Sequence, residues 1–562
     1  MTVGRVEPGA AVAAGRRLRT GALSSVVRLT QIRPLYVLGS LVAVEWLTTL
    51  ALALTVRHNG WLYYQGGDQV WSYTTSWLLR HGQLPLTPVG YGESVLLMPF
   101  TFFGANLLHI LPAIVLLNVL FLMPVALLAM YGIGERIGGR LFGYWVAFLW
   151  IVLPFIGIKY TDAGFHQRYT ETTLPQALGL TAMSDFPSMV MLAVSAYFLV
   201  RVLQSRAWLD GFLAGTFAGF AIGIKPSSAL YLGGVIIAVL ASRRWRAGLA
   251  LAAGLAPSLL ALTVWKWRGL GYLPIFRAEP GSRVAMGPAA VQLPGRLGQY
   301  IPLSWSHFAT NFGSLQEHFW SARVVEWLVL AGIVGLARRS WPACCFAGGW
   351  FMVFFIIKGS SPQGNLEDAS LLRMLIPAIP AFVLLMAALP FLLPGIPQRA
   401  KPTPIRSWGT PRLRLTLAIA ATMLFAAVPI GLAGIARPVG GGATDYYSGS
   451  AGPVPATLPV DLTVHGTRVR MTWPSAKPGS ARVFYDVSRA LPTCLAKTSN
   501  VPGPSGRDSC LIAIAHIRTP TWTETLSPGQ YGYRITESAN WLDDPTTSDP
   551  YLATRWISIR IR

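Results

Sequence analysis

Charge is scarce in this chain of 562 residues: 12% are Asp, Glu, Lys or Arg, against 52% apolar. That ratio excludes an ordinary soluble enzyme and points to a bilayer. Acids are scarcer still, 23 against 46 Lys and Arg, leaving a formal charge of +23. A basic balance can mark a nucleic-acid partner, but here the bases fall in short clusters between apolar runs, so no nucleic acid is expected. The four cysteines include no CxxC pair, which removes the usual zinc and redox spacings. Cys344 and Cys345 read as small side chains inside an apolar run. Cys494 and Cys510 could join only if their polar segment faces an oxidising compartment. No signal-peptide cleavage site follows the first apolar run, and no half of the chain repeats the other.

What is present is a series of apolar runs of roughly 17 to 25 residues, the length a helix needs to cross about 30 Å of hydrocarbon. About eleven spans are expected, the first from Leu35 to Val56 and the last from Leu415 to Ile435. A basic N-terminal segment, residues 1–34, places the N-terminus in the cytosol. Simple alternation then gives every expected cytosolic loop at least two Arg or Lys and puts the longer acid-bearing loops outside, as the positive-inside rule requires. The expectation is a multi-pass protein of the plasma membrane. "SVLLMPFTFFG" is too short to span and reads as an interfacial segment.

Composition changes near residue 438. A Gly-rich linker, 438–457, leads to segments such as "VDLTVHGTRVRMTWPSA" and "GQYGYRITESA", whose period-two alternation predicts a small all-β sandwich over 458–562, outside the cell. Trp473 with Tyr531 or Tyr533 resembles the core tryptophan and tyrosine corner of a fibronectin type III-like domain. Such a module implies binding or spacing rather than catalysis.

The expected outer face gathers Asp68, Glu93, Asp162, Glu171, Asp185, Lys225 and Arg373. Ionisable groups near hydrocarbon are costly, about 2.5–3.5 kcal/mol at a helix centre, so each is a functional candidate. Each also has a plainer reading. In "YYQGGDQVWSY", Asp68 follows a glycine turn and could merely cap an amphipathic helix carrying Val70, Trp71, Trp77 and Leu78. Asp162, in "KYTDAGFHQRYTET", could be a solvated loop residue. With Glu171, His166 and Asp68 it could instead hold Mg2+ or Mn2+, although no spacing here is diagnostic and no metal ligand is assigned. Asp185 precedes Phe-Pro at a helix start, where capping is favoured over catalysis. Lys225, at the apex "IGIKPSS", and Arg373 could snorkel to headgroups or bind a phosphate.

In order, "GYGESVLLMPFTFFG", "GERIGGRLFGYWVAFLWIVLPFI", "TAMSDFPSMVMLAVSAYFLVR", "AGTFAGFAIGIKPSSALYLGGVIIAVL" and "LLRMLIPAIPAFVLL" resemble the membrane glycosyltransferases of the C fold (GT-C). These are polyprenyl-phosphate-sugar enzymes such as protein O-mannosyltransferases, aminoarabinose transferases and arabinofuranosyltransferases. The likeness runs from about Leu35 to Leu393. It implies a transmembrane catalytic domain over 35–437, with a polyprenyl-phosphate-sugar donor, a cell-envelope acceptor and membrane lipid as partners. It further implies Asp68 as the catalytic base of an inverting transfer, Asp162, Glu171 and Gln69 at the substrate, and Lys225 and Arg373 on the donor phosphate. The family often carries an acid pair where this chain has Asp68-Gln69. The rival classes are a transporter or flippase, and a scaffold presenting the β domain. The clustering of polar candidates at one face, with no repeat of one half in the other, favours surface chemistry over passage.

Overall fold

The structure is a computed structural model. It describes residues 32–55, 68–84, 90–103, 107–205, 207–271, 273, 290–291, 303–361, 364, 366, 370–394, 410–438, 456–457, 459–474, 484–490, 511–517, 519–538, 552–553 and 557–562. Nearly all of the basic N-terminal segment, Cys494 and Cys510, and most of the loop between residues 272 and 302 lie outside the described residues. The chain divides into two compact units, one of Met1–Phe103 and Leu108–Arg437, the other from Pro438 to Arg562.

The first unit is helical. Eight helices among the described residues are long and apolar enough to cross a membrane: Pro34–Leu54, Ile110–Gly138, Arg140–Lys159, Asp185–Ser205, Trp245–Gly269, Trp341–Gly359, Leu371–Leu392 and Arg412–Ile435. The fifth and sixth expected spans coincide with two shorter apolar helices, Trp208–Ile224 and Pro226–Ser242. The eighth coincides with Trp320–Arg339, which carries Arg323, Glu326, Arg338 and Arg339. Local chemistry sets the ends. Gly139, at φ 88°, separates two helices, and Thr410 caps the last by accepting the Leu413 N–H at 3.3 Å, with Pro411 at the first helical position.

Close packing in the centre comes from small residues. In "GFLAGTFAGFAIG" the glycines 211, 215, 219 and 223 recur every fourth residue and line one side of the Trp208–Ile224 helix. A Cβ on Gly215 would overlap the Leu251 carbonyl, and one on Gly219 would come within 2.7 Å of Ser258 Cβ on the Trp245–Leu270 helix. Lipid offers no hydrophobic drive between helices, so this intimate backbone approach is what joins them.

The expected interfacial segment folds as a short helix, Gly92–Leu97, and a 3-10 turn, Met98–Phe102, ending with Phe102 and Phe103 exposed. The helix expected after the glycine turn is present as Asp68–Arg80. Of the expected apolar face, Leu78 is fully buried and Trp77 half-buried, while the side chains of Val70 and Trp71 lie outside the described residues. Gln69, Ser72, Thr75 and Ser76 are all buried, and Ser76 donates to the Ser94 carbonyl at 2.8 Å, so the helix packs a polar side onto its neighbour.

The second unit holds two antiparallel groups of strands. Arg468–Thr472 lies between Asp461–His465 and Thr521–Thr525. Gly529–Ser538 pairs with Phe484–Ala490 and with Ile557–Ile561. Val469, Met471, Trp473, Tyr485, Val487, Tyr533 and Ile535 form the core, with Trp473 edge-on to Tyr485 at 5.2 Å. Tyr531 donates its hydroxyl to the Ser527 carbonyl at 3.0 Å. Ala456–Thr457, within the segment expected as linker, is a strand pairing in parallel with Leu552–Ala553.

Candidate functional site

The polar candidates converge where several helices end. Asp185, the first residue of its helix, is fully buried. Lys225, just past the end of the neighbouring antiparallel helix, donates to its Oδ1. Arg373 donates to Oδ2 from both Nε and Nη2, each at 3.1 Å. The carboxylate thus receives cations from residues 40 and 188 positions away in sequence. The Lys225 and Arg373 side chains remain 21% and 28% exposed, while the Asp185 side chain is 0% exposed. A buried charge is tolerated only when it is paired and hydrogen-bonded, and this one is.

The first loop is fixed to the same place. Gly90 and Gly92 lie directly on the backbone of Gly223 and Ile224, and a Cβ on Gly223 would meet the Tyr91 ring at 2.7 Å. Tyr91, itself buried, donates its hydroxyl to the Phe425 carbonyl at 2.6 Å. Phe425 sits in a π turn, Met423–Ala427, that interrupts the i→i+4 ladder of the last apolar helix. This Gly-Tyr-Gly wedge carries Glu93, whose Oε2 is buried with no hydrogen-bond partner. Burial, and after it the charge of Asp185, pushes the Glu93 carboxyl up to about 8, so it is a neutral acid at pH 7.

The remaining sequence candidates fall as follows. Asp68 opens the Asp68–Arg80 helix, and its side chain lies outside the described residues. Gln69 is fully buried, its Oε1 accepting the Ala182 N–H at 3.3 Å, which ties the start of that helix to the turn leading into Asp185. Its Nε2 has no partner, and neither amide atom of fully buried Gln176 has one. Asp162 is 53% exposed, with Oδ2 3.1 Å from His318 Nδ1 and its N–H donated to the His318 carbonyl. His166 Nε2 lies 2.7 Å from the Thr161 carbonyl. Glu171 belongs to the helix His166–Thr173, and its side chain lies outside the described residues. Among the described residues no three His, Cys, Asp or Glu side chains are grouped to hold a metal.

Sequence reasoning placed Lys225 and Arg373 together but took Asp185 for a cap. Its role as their shared anchor has no local signature, because both partners are distant. Lys358, in the last turn of Trp341–Gly359, was also missed; it is half-buried and interacts electrostatically with Lys225 and Asp185.

No family model matches the chain, and no curated protein does. Among solved structures, the crystal structure of the Archaeoglobus fulgidus oligosaccharyltransferase in the apo form is similar at a TM-score of 0.36 and 12% identity. The match covers 75% of this chain but only 59% of that one. A likeness at that score carries no argument about activity. The chain itself is a predominantly helical protein with eight helices of membrane-crossing length and a separate unit of β-strands.

Proposed function

We propose that this protein is an integral-membrane glycosyltransferase that moves a sugar from a polyprenyl-phosphate-linked donor to a cell-envelope acceptor at the extracytoplasmic face. The observation carrying the reading is the meeting of Lys225 and Arg373, cations from separate helix ends, around buried Asp185, with both side chains still partly exposed. Two partly exposed cations suit a phosphodiester anion, which Lys meets as a point charge. Gln69 supports a role for the neighbouring Asp68 by holding its helix start beside Ala182.

In this mechanism Asp68 takes the proton of an acceptor hydroxyl. The freed oxygen attacks the anomeric carbon from the face opposite the phosphate, with inversion. The bond between that carbon and the phosphate oxygen breaks, and its electron pair leaves on the polyprenyl phosphate beside Lys225 and Arg373. A positioned base contributes about 100- to 10,000-fold, and fixed charge on the leaving group a further large factor.

The test compares the wild-type protein with Asp68→Asn in lipid nanodiscs, using polyprenyl-phosphate sugars and mass spectrometry of the envelope glycans and lipids formed. Asp68→Asn is expected to keep its melting temperature and lose transfer. A fully active Asp68→Asn protein refutes the assignment, and substrate flux across sealed vesicles with no glycosylated product refutes the class.

A further inference from the structure

Lys358 is used neither by the packing nor by the mechanism so far. The Trp341–Gly359 helix runs antiparallel to Tyr231–Ser242: Ile237 meets Gly349, Gly234 meets Trp350 and Gly233 meets Val353. The Tyr231 ring stands edge-on to Trp350 at 4.9 Å. Continued in that direction, the helix end bearing Lys358 arrives beside the turn Pro226–Leu230 that follows Lys225. The helix Trp305–His318 covers it, with Phe308 against Gly359 and with buried Asn311 donating to the carbonyls of Gly359 and Gly364, both at 2.8 Å. Lys358 is therefore half-buried next to another cation. Among the described residues no carboxylate pairs with it. Like charges brought together away from water repel; Asp185 offsets this in part, but its carboxylate is already bonded by Lys225 and Arg373, so the three cations outnumber the one anion.

We propose that Lys358 is a third phosphate-binding cation of this site, and that it acts chiefly on the leaving group. The proposal rests on the glycosyl-transfer reading above. A sugar phosphodiester carries one negative charge. As the bond to the anomeric carbon breaks, its electron pair passes to the phosphate, which departs as a monoester dianion, while the acceptor proton goes to Asp68. Lys225 and Arg373, already joined to Asp185, hold the first charge, and Lys358 meets the second. An interaction that is stronger with the departing phosphate than with the donor raises the rate rather than ground-state affinity.

The experiment measures binding of two short-chain probes, farnesyl phosphate and its methyl diester, to the full-length protein in nanodiscs near pH 7.5, where the monoester is mostly dianionic. The wild-type protein is expected to prefer the monoester by about tenfold. Lys358→Met is expected to bind the diester with unchanged affinity and to lose that preference, and Lys358→Arg, which keeps the charge, is expected to retain most of it. In turnover, Lys358→Met then lowers kcat with little change in KM. A Lys358→Met protein of normal melting temperature that keeps the tenfold preference overturns the proposal, as does equal weakening of both probes. If Lys358→Met does not fold, an unchanged preference after neutralisation by Lys358→Gln overturns it equally. Failure of the wild-type protein to bind either probe overturns the lipid-phosphate donor itself, a separate and prior result.

Discussion

Replacing Asp185 by asparagine removes the carboxylate around which Lys225 and Arg373 are arranged. Arg373 makes two bonds to Oδ2 and Lys225 one to Oδ1. Hydrogen bonds to charged groups contribute about 1.5–3 kcal/mol each, and breaking a buried pair from one side typically costs about 3–5 kcal/mol. Two effects lower the figure here: the cations, 21% and 28% exposed, regain some hydration, and the buried charge that needed compensation is itself gone. A loss of about 2–4 kcal/mol is expected for Asp185→Asn. Lys225→Met should cost less, since Arg373 still satisfies the carboxylate with two bonds. The assay is denaturant unfolding in mixed micelles, followed by tryptophan fluorescence, for both single variants and the double variant. Because the two residues touch, the double variant should be more stable than the sum of the singles implies, by at least about 1 kcal/mol. Additivity within about 0.5 kcal/mol would show that the contact carries no interaction and refute the reasoning.

Two further outcomes follow from other contacts. Glu93, raised to about 8 from 4.5, binds a proton in the folded protein over a range where the unfolded chain has released it. Its contribution is fully present below about pH 4.5 and is lost as the pH rises through about 8, so the wild-type melting temperature should fall across that window. Glu93→Gln should flatten this slope, and an unchanged slope would remove Glu93 as its source. Gly215→Ala places a methyl group on the Leu251 carbonyl and should destabilise by about 1–3 kcal/mol, whereas Gly431→Ala, with nothing within 4 Å, should be neutral. Equal melting temperatures for the two variants would contradict the close helix approach.

Each expected span coincides with a helix because the signal, a long apolar run, lies within the segment that folds. That Lys225 and Arg373 share one end of the helices was legible for a related reason: Lys225 follows one helix, Arg373 opens another, and counting helices puts both at that end. What the chain could not reveal locally is who holds whom. Asp185 precedes Phe186-Pro187 and so looks like a cap, and only folding brings Lys225 and Arg373 onto it. Lys358 closes an apolar run, where a basic residue reads as a lipid-facing anchor. The fourfold spacing of Gly211, Gly215, Gly219 and Gly223 was visible in the letters, yet its partner helix was not. Asp68 and Glu171 stay where sequence reasoning left them, as candidates by resemblance.

The bond from Tyr91 to the Phe425 carbonyl bears on how the molecule is made. The first loop leaves the ribosome long before Gly223, on which it rests, and longer still before Phe425, which pins it. At about 5–20 residues per second, the loop waits roughly 15 to 70 seconds for its last partner. During that interval the Tyr91 hydroxyl lacks its Phe425 acceptor, although Asp185, Lys225 and Arg373 are all made before Phe425. A chain truncated before its final apolar helix would therefore carry every charged member of the site and still leave the Tyr91 wedge unpinned, which makes the last helix a clasp on the first loop.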